Sequence, residues 1–284
     1  MYTLNNGLQI PETGFGTYLL TEETTGGRTK EVILQAIECG YRYLDTAAFY
    51  KNEDLTGAAV RECGLPRQAL FVATKVWRTE LGYEKTKAAL EASLQALDIG
   101  YIDLYLIHWP TEFPGDPDWR SRVQGSYRAI EEAVRAGTVK SIGLSNFLPH
   151  HIMAVLETAE ILPVLDQLEL HVGYMQPDAV AWCKKHEIQV QAWRPRGQAS
   201  LAQQPFLKEL AARYGVSTGA LLLRFLLQQG IAVIPRSTSR AHMEENLHLP
   251  EFTIQEADFE FLKSLPPMGW SGQHPDFDRV APVR

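Results

Sequence analysis

Residues 40–53 read GYRYLDTAAFYKNE, and this stretch decides the architecture. Tyr41-Arg42-Tyr43-Leu44 is a short alternating run that suits a half-buried strand. Asp45-Thr46-Ala47-Ala48 ends the run with small and polar residues suited to a loop, which carries an exposed Phe49-Tyr50. Asn52-Glu53-Asp54 supplies a helix start, and a helical run follows from Leu55 to Arg61. An acid therefore stands at the tip of a strand, with a tyrosine five residues on in the loop above it. In sheet-and-helix folds, chemistry is usually placed at such tips.

Working outward, Tyr2-Thr3-Leu4 and Leu8-Gln9-Ile10 flank Asn5-Asn6-Gly7. That pattern reads as a β-hairpin, because Asn-Gly tolerates the positive φ of a tight turn. Gly14-Phe15-Gly16-Thr17-Tyr18 lacks the third glycine of a dinucleotide fingerprint. It reads instead as a short buried strand beside a close backbone approach. Downstream, helical runs over 30–39, 55–63, 85–97, 120–136, 149–159, 177–185, 206–214 and 218–227 alternate with short apolar runs. Those runs end near Asp45, Lys75, His108, Asn146, Gln167, Trp193 and Pro235, and with 13–16 they make eight strands. Repeating strand-helix units demand parallel strands with both faces covered. Eight units in 284 residues predict one α/β domain, a closed (β/α)8 TIM barrel with an N-terminal hairpin, spanning 1–284. A doubly wound open sheet is the alternative, but it usually declares a glycine-rich loop after its first strand.

Composition narrows the function. A hydrophobic content of 45% and a charged content of 21% are ordinary for a globular enzyme. A net charge of −7 argues against a general nucleic-acid or anionic-membrane binder. Three scattered cysteines, Cys39, Cys63 and Cys183, make neither a disulfide framework nor a zinc site and suit a reducing compartment. The N-terminus lacks a signal peptide's apolar core, and no apolar run reaches membrane-spanning length. The expectation is a cytoplasmic protein.

In a barrel the C-terminal strand ends share one mouth, so their terminal residues converge. Here they are Asp45, Lys75, His108, Ser145-Asn146, Gln167, Trp193 and Arg236. Each alone has an ordinary reading: a solvated loop lysine, a buried structural histidine, a loop-capping aspartate. Together they describe carbonyl reduction. A tyrosine hydroxyl is a poor acid near neutral pH, and a lysine ammonium beside it favours the phenolate and lowers its pKa. An aspartate keeps the ammonium charged and in place. A neutral histidine can hydrogen-bond and orient a carbonyl. No side chain donates hydride, so a nicotinamide cofactor is required.

GYRYLDTAAFYKNE, ATKVW, LYLIHWP, SIGLSNF, DQLELH and VIPRS, running from Gly14 to about Asn246, together resemble the aldo-keto reductase family. The resemblance implies a (β/α)8 barrel that binds extended NADP(H) without a Rossmann fold and often works as a monomer. It implies a catalytic tetrad of Asp45, Tyr50, Lys75 and His108, with Tyr50 as the general acid and His108 orienting the carbonyl. It also implies that Ser145, Asn146 and Gln167 hold the nicotinamide carboxamide. Trp193 would stack beneath the ring in place of the commoner tyrosine. Arg236 and Ser237 would receive the 2′-phosphate, and Glu245 and Asn246 the adenine.

Two departures bear on the cofactor. His242 stands where the family usually has an arginine, which predicts weaker discrimination of NADP(H) from NAD(H), since imidazole pairs less well with a phosphate. Arg194-Pro195-Arg196 replaces a serine, a proline and an apolar residue. Its two cations either strengthen anion binding along the cofactor or point to solvent. Tyr18, Phe49, Trp77, Trp109 and Phe113 are expected to ring an aromatic pocket for aldehydes, aryl ketones or α-keto carbonyls. The tail 269–275 is too rich in glycine and proline for a helix and is expected to fold over the mouth, with Trp270 touching substrate. His150-His151 invites a metal reading, but with no carboxylate or cysteine at ligand spacing it reads as a helix start. Two other functions remain open: a Schiff-base lyase using Lys75 as nucleophile, and a cofactor-binding regulatory protein with little turnover.

Overall fold

The computed structural model describes residues 1–277, so the last stretch of the expected domain, 278–284, lies outside the described residues. The chain opens with the antiparallel hairpin β1 (Tyr2–Thr3) and β2 (Gln9–Ile10). Its turn is made by Gly7 at φ 87°, in the left-handed region where glycine has no Cβ to clash. The hairpin has a structural task. Leu4 and Ile10 are buried with Tyr43, Ala73, Leu104, Leu106 and Leu165. Asn5 donates to the Pro163 carbonyl (2.9 Å) and Asn6 to Ser141 Oγ (3.3 Å). Both partners precede strands, so the hairpin plugs the end of the barrel opposite the strand tips.

The barrel strands are β3 (Phe15–Gly16), β4 (Tyr43–Asp45), β5 (Phe71–Val76) and β6 (Leu104–Ile107), then β7 (Ile142–Ser145), β8 (Leu165–Glu169), β9 (Gln189–Trp193) and β10 (Ala232–Val233). All are parallel and neighbour one another in chain order. The ring closes through a parallel bridge from Thr13 to Val233, with Gly14 N–H donating to the Val233 carbonyl and Val233 N–H to that of Glu12, both at 2.8 Å. Closure leaves no sheet edge to pair with another chain.

Strand burial corrects one expectation. The run 41–44 is not half-exposed: Tyr41, Tyr43 and Leu44 are all fully buried. Within β4, Tyr43 packs inside the barrel and Leu44 faces the helical layer, so alternation there distinguishes two buried surfaces; Tyr41 and the partly exposed Arg42 precede the strand. β6 repeats the pattern, with Leu104 and Leu106 inside and Tyr105 and Ile107 outside. Each such apolar side chain contributes roughly 1.5–3 kcal/mol on burial. The close approach expected near residue 14 is present: a Cβ on Gly14 would stand 2.5 Å from the Tyr43 ring.

After the helix Glu256–Ser264 the tail has no further helix among the described residues and returns to the strand tips. Thr111 Oγ1 donates to the Pro275 carbonyl (3.1 Å), and the backbone N–H and hydroxyl of Ser271 donate to Glu169 (2.9 and 2.6 Å). No single helix among the described residues is long and apolar enough to cross a membrane.

Candidate active site

The opening stretch builds the centre of the site. β4 delivers Asp45 to the barrel mouth, and the chain then makes a 3-10 turn over Ala48–Tyr50. Lys51, at φ 57°, redirects it into the helix Glu53–Glu62. Asn52 fastens the loop from within. It is fully buried, donates to the carbonyls of Thr17 (3.0 Å) and Leu20 (2.9 Å), and accepts from Thr46 Oγ1 (2.8 Å). These bonds fix Tyr50 above the end of β4.

Beneath Tyr50, β5 places Lys75, which has no exposed surface. Its ammonium donates to Asp45 Oδ1 (2.6 Å), the Thr46 carbonyl (2.8 Å) and Tyr50 Oη (3.4 Å). The other Asp45 oxygen accepts from Gln167 Nε2 (2.8 Å), which also donates to Gln191 Oε1 (2.8 Å). Gln191 Oε1 accepts from the Tyr43 hydroxyl as well (3.1 Å). A buried polar network thus supports the Asp45–Lys75 pair from below, and its members rigidify one another. His108 leaves the end of β6 with its ring 5.6 Å from that of Tyr50 and 5.1 Å from that of Trp77.

The protonation states follow from burial and charge. Burial, reinforced by the Asp45 charge, holds the Tyr50 hydroxyl well above the usual phenol range, so it stays protonated. This reverses the sequence expectation that Lys75 lowers it: the ammonium lies closer to Asp45 than to Tyr50. Burial also pulls Lys75 below its ordinary value, with Asp45 opposing. Burial, then the charges of Lys75 and Arg78, drive His108 well below the usual histidine range. His108 is neutral at pH 7, and its Nδ1 is buried without a partner among the described residues.

These groups open into a cavity of about 670 Å³. Tyr18, Phe49, Trp77 and Trp109 line it as expected, together with Ser145, Asn146, Gln167 and Trp193. Arg194, Arg196 and Arg236 are among its lining residues too. Arg236 donates to the Leu19 carbonyl (3.2 Å), and its basicity is lowered by partial burial and by the neighbouring Arg196 charge. Two guanidinium groups held that close favour an anion between them.

A profile of the aldo/keto reductase family matches residues 12–266. The chain belongs to the aldo/keto reductase family. This family member is 38% identical over 267 residues to the uncharacterized oxidoreductase YtbE of Bacillus subtilis, covering 93% of this chain and 91% of that one. It is 36% identical over 273 residues to a glyoxal reductase of the same organism, covering 96% and 95%. A solved Bombyx mori aldo-keto reductase in complex with NADP superposes with a TM-score of 0.85 at 30% identity, covering 99% of this chain and 94% of that one.

Several expected site residues of this aldo-keto reductase lie elsewhere. Phe113 is half-exposed and leaves the lining to Thr111 and Pro114. Trp270 does not reach the cavity; it stacks on Tyr174 at 5.4 Å and donates to the Gln273 carbonyl. The clamp of Glu169 on Ser271 holds the chain beside it and presents Gln273, His274, Pro275 and Phe277 to the mouth instead. Ser237, His242, Glu245 and Asn246 do not line the cavity. Ser237 Oγ is engaged with Ser239, His242 is exposed, Glu245 is half-buried, and buried Asn246 leaves its Nδ2 without a partner. Asn146 and Gln167 direct their amide donors into the protein, to the His108 carbonyl and to Asp45, so what they have left to offer is the Gln167 oxygen and the second lone pair of Asn146 Oδ1, whose first accepts from Trp193 Nε1–H.

The histidine pair also meets a carboxylate after all: Asp276 of the tail lies 3.3 Å from His150 and 3.0 Å from His151. Because Leu148 N–H donates to His151 Nδ1 (3.1 Å), the His151 proton resides on Nε2 and bonds Asp276. The group acts as a tether for the tail as well as a helix start. Sequence reasoning also missed Arg78, which directly follows Trp77 at the tip of β5 and lines the cavity. The strand-tip logic that selected Lys75 extends to it.

Proposed function

We propose that this protein reduces aldehydes or ketones to alcohols by hydride transfer from NADP(H), acting as a monomer with Tyr50 as the general acid. The observation that carries the reading is the meeting of Asp45, Tyr50, Lys75 and His108 from β4, β5 and β6 at the floor of one cavity. The residues present also fit a phosphorylated nicotinamide cofactor. Arg194, Arg196 and Arg236 supply guanidinium donors for its phosphates, and Trp193 offers an indole face, fixed by its Nε1–H bond to Asn146 Oδ1 (2.9 Å). Acceptor oxygens of Asn146 and Gln167 suit the amino group of its carboxamide. When bound, NADPH supplies the hydride.

The chain's own residues manage the proton and the carbonyl. Protonated Tyr50 gives its proton to the carbonyl oxygen as negative charge develops there. Lys75 then stabilises the resulting phenolate, and Asp45 holds the ammonium in place. Neutral His108 donates a hydrogen bond to the carbonyl and orients it. The aromatic walls exclude water and accept apolar or aryl substrates. With His242 in place of arginine, discrimination against NAD(H) is weak.

A lyase using Lys75 as nucleophile is disfavoured by the three hydrogen bonds and full burial of that ammonium. The reading is tested by following NADPH and NADH oxidation against a panel of aldehydes and ketones and identifying the alcohols formed. Stoichiometric alcohol, with NADPH somewhat preferred, is expected. Tight cofactor binding without turnover on any carbonyl would replace this reading with a cofactor-binding regulatory one.

A further inference from the structure

We propose that Arg78 anchors an acidic group on the substrate, so that the preferred carbonyl compounds are oxo acids carrying a carboxylate. This rests on the reductase reading and specifies its substrate class. In the ring of eight strands β3–β10, β5 and β9 are four strands apart and therefore opposite each other. Arg194 and Arg196 follow β9, and Arg236 follows its neighbour β10. Those three guanidinium groups are accounted for by cofactor phosphates. Arg78 follows β5, across the mouth, and the adjacent strands β4 and β6 deliver Tyr50 and His108. It stands on the side where the carbonyl is protonated.

Charge makes the position informative. The protein carries a net charge of −7, and arginines such as Arg122, Arg135 and Arg213 are paired with carboxylates. Arg78 has no carboxylate and no hydrogen-bond acceptor among the described residues. Among the described residues, Asp45 is the one acid lining the cavity, and Lys75 and Gln167 engage both of its oxygens. Near the rim, Glu112 and Asp116 are bonded to Arg122, and Asp276 to the histidine pair. Among the described residues, no carboxylate forms an ion pair with Arg78. Its guanidinium lies 5.2 Å from the centroid of the Trp77 ring, a cation–π placement that limits its swing. Trp77 is itself stacked on Phe49 at 3.8 Å. A guanidinium so held presents the paired donors that a carboxylate accepts. His274, whose Nδ1 accepts from Asp276 N–H, keeps an Nε2–H donor and lines the same cavity. The charge of Arg78 also reaches His108, contributing to its neutral state.

The test compares acids with their methyl esters: 4-carboxybenzaldehyde with methyl 4-formylbenzoate, and 4-oxobutanoate with methyl 4-oxobutanoate. Each is assayed at saturating NADPH with the wild type, Arg78→Gln and Arg78→Lys. We expect the wild type to favour at least one acid through KM. Arg78→Gln raises KM for that acid roughly 10- to 100-fold, the scale of a hydrogen-bonded charge pair. Its ester shifts far less, kcat changes less than KM, and Arg78→Lys recovers part of the loss. No acid preference in the wild type, or an equal loss for acid and ester in Arg78→Gln, would overturn the assignment.

Calorimetric titration with benzoate and benzamide gives a readout that needs no turnover. Tighter binding of benzoate, lost in Arg78→Gln, supports the site, and equal binding of the two overturns it. If no carbonyl is reduced at all, the reductase reading fails while the titration still decides Arg78.

Discussion

The floor and the rim of the cavity differ in how completely their polar groups are paired. On the floor, Tyr43, Asp45, Lys75, Gln167 and Gln191 are each at most 1% exposed and linked in one hydrogen-bonded chain, with only Gln191 Nε2 and His108 Nδ1 unpartnered there among the described residues. On the rim, Arg78, Arg194, Arg196 and Arg236 have no carboxylate partners among the described residues and remain partly exposed. The floor is organised before any ligand arrives, which is what electrostatic stabilisation of a transition state needs. The rim carries positive charge that a ligand can neutralise. Changes to the floor should therefore cost stability and rate together, and changes to the rim chiefly affinity.

The largest expected effect breaks the floor. Lys75→Met leaves Asp45 buried without its cation, so unfolding free energy should fall by about 3–5 kcal/mol, with turnover lost alongside. A loss below about 1 kcal/mol, the range of exposed pairs, would show that the pair is not a buried unit. The second effect sharpens the comparison with an acid that lacks a cation. Asp166 is fully buried with no cation beside it among the described residues, and burial pushes it up to about 8 against the opposing hydrogen bonds of the Phe147 and Gln167 backbone and of Cys183 (3.8 Å). Its folded pKa lies above its unfolded value near 4. Its contribution to stability is therefore complete below about pH 4 and lost as pH rises toward 8. Between pH 5 and pH 8 the wild type should lose on the order of 3 kcal/mol that Asp166→Asn retains, measured by denaturant unfolding at the two pH values. Parallel curves for the two proteins would contradict the burial argument.

Rim effects come next. Arg236→Ala should raise KM for NADPH by about tenfold, one charge-assisted contact, and leave KM for NADH nearly unchanged. Equal shifts would remove Arg236 from the 2′-phosphate. The smallest effect belongs to His242. His242→Arg should increase the preference for NADPH over NADH by a few-fold, since the side chain is exposed and lies outside the cavity lining. A change beyond that scale would place residue 242 on the cofactor.

The same contrast separates what was legible in the sequence from what was not. Asp45, Lys75, His108, Asn146 and Gln167 end apolar runs, and a parallel barrel sends every run's end to one mouth, so period and topology sufficed. The hairpin was readable from Asn6-Gly7, although its plugging of the barrel required knowing that Leu4 and Ile10 turn toward Leu104 and Leu165. The exposed alternation expected over 41–44 failed because a closed barrel buries both faces of its strands. The tail folds over the mouth without a helix as expected, but its individual contacts were not legible, for another reason. Gly269–Pro275 has no period, and its path is set by contacts from far along the chain, Glu169 with Ser271 and Thr111 with Pro275. Trp270 was consequently placed at the mouth when it stacks on Tyr174, and Asp276 was not foreseen beside His150 and His151. The ionisation of Tyr50 was misjudged because the burial that outweighs the lysine's charge is a property of the fold.

The central claim is that Tyr50 delivers the proton in a hydride transfer. Its most direct test is single-turnover oxidation of bound NADPH by a saturating aldehyde in the wild type and in Tyr50→Phe, with NADPH affinity measured on both. The account predicts that Tyr50→Phe binds NADPH within about twofold of the wild type and oxidises it roughly 10²–10⁴-fold more slowly, the usual scale of general acid catalysis. An undiminished single-turnover rate in Tyr50→Phe would contradict it.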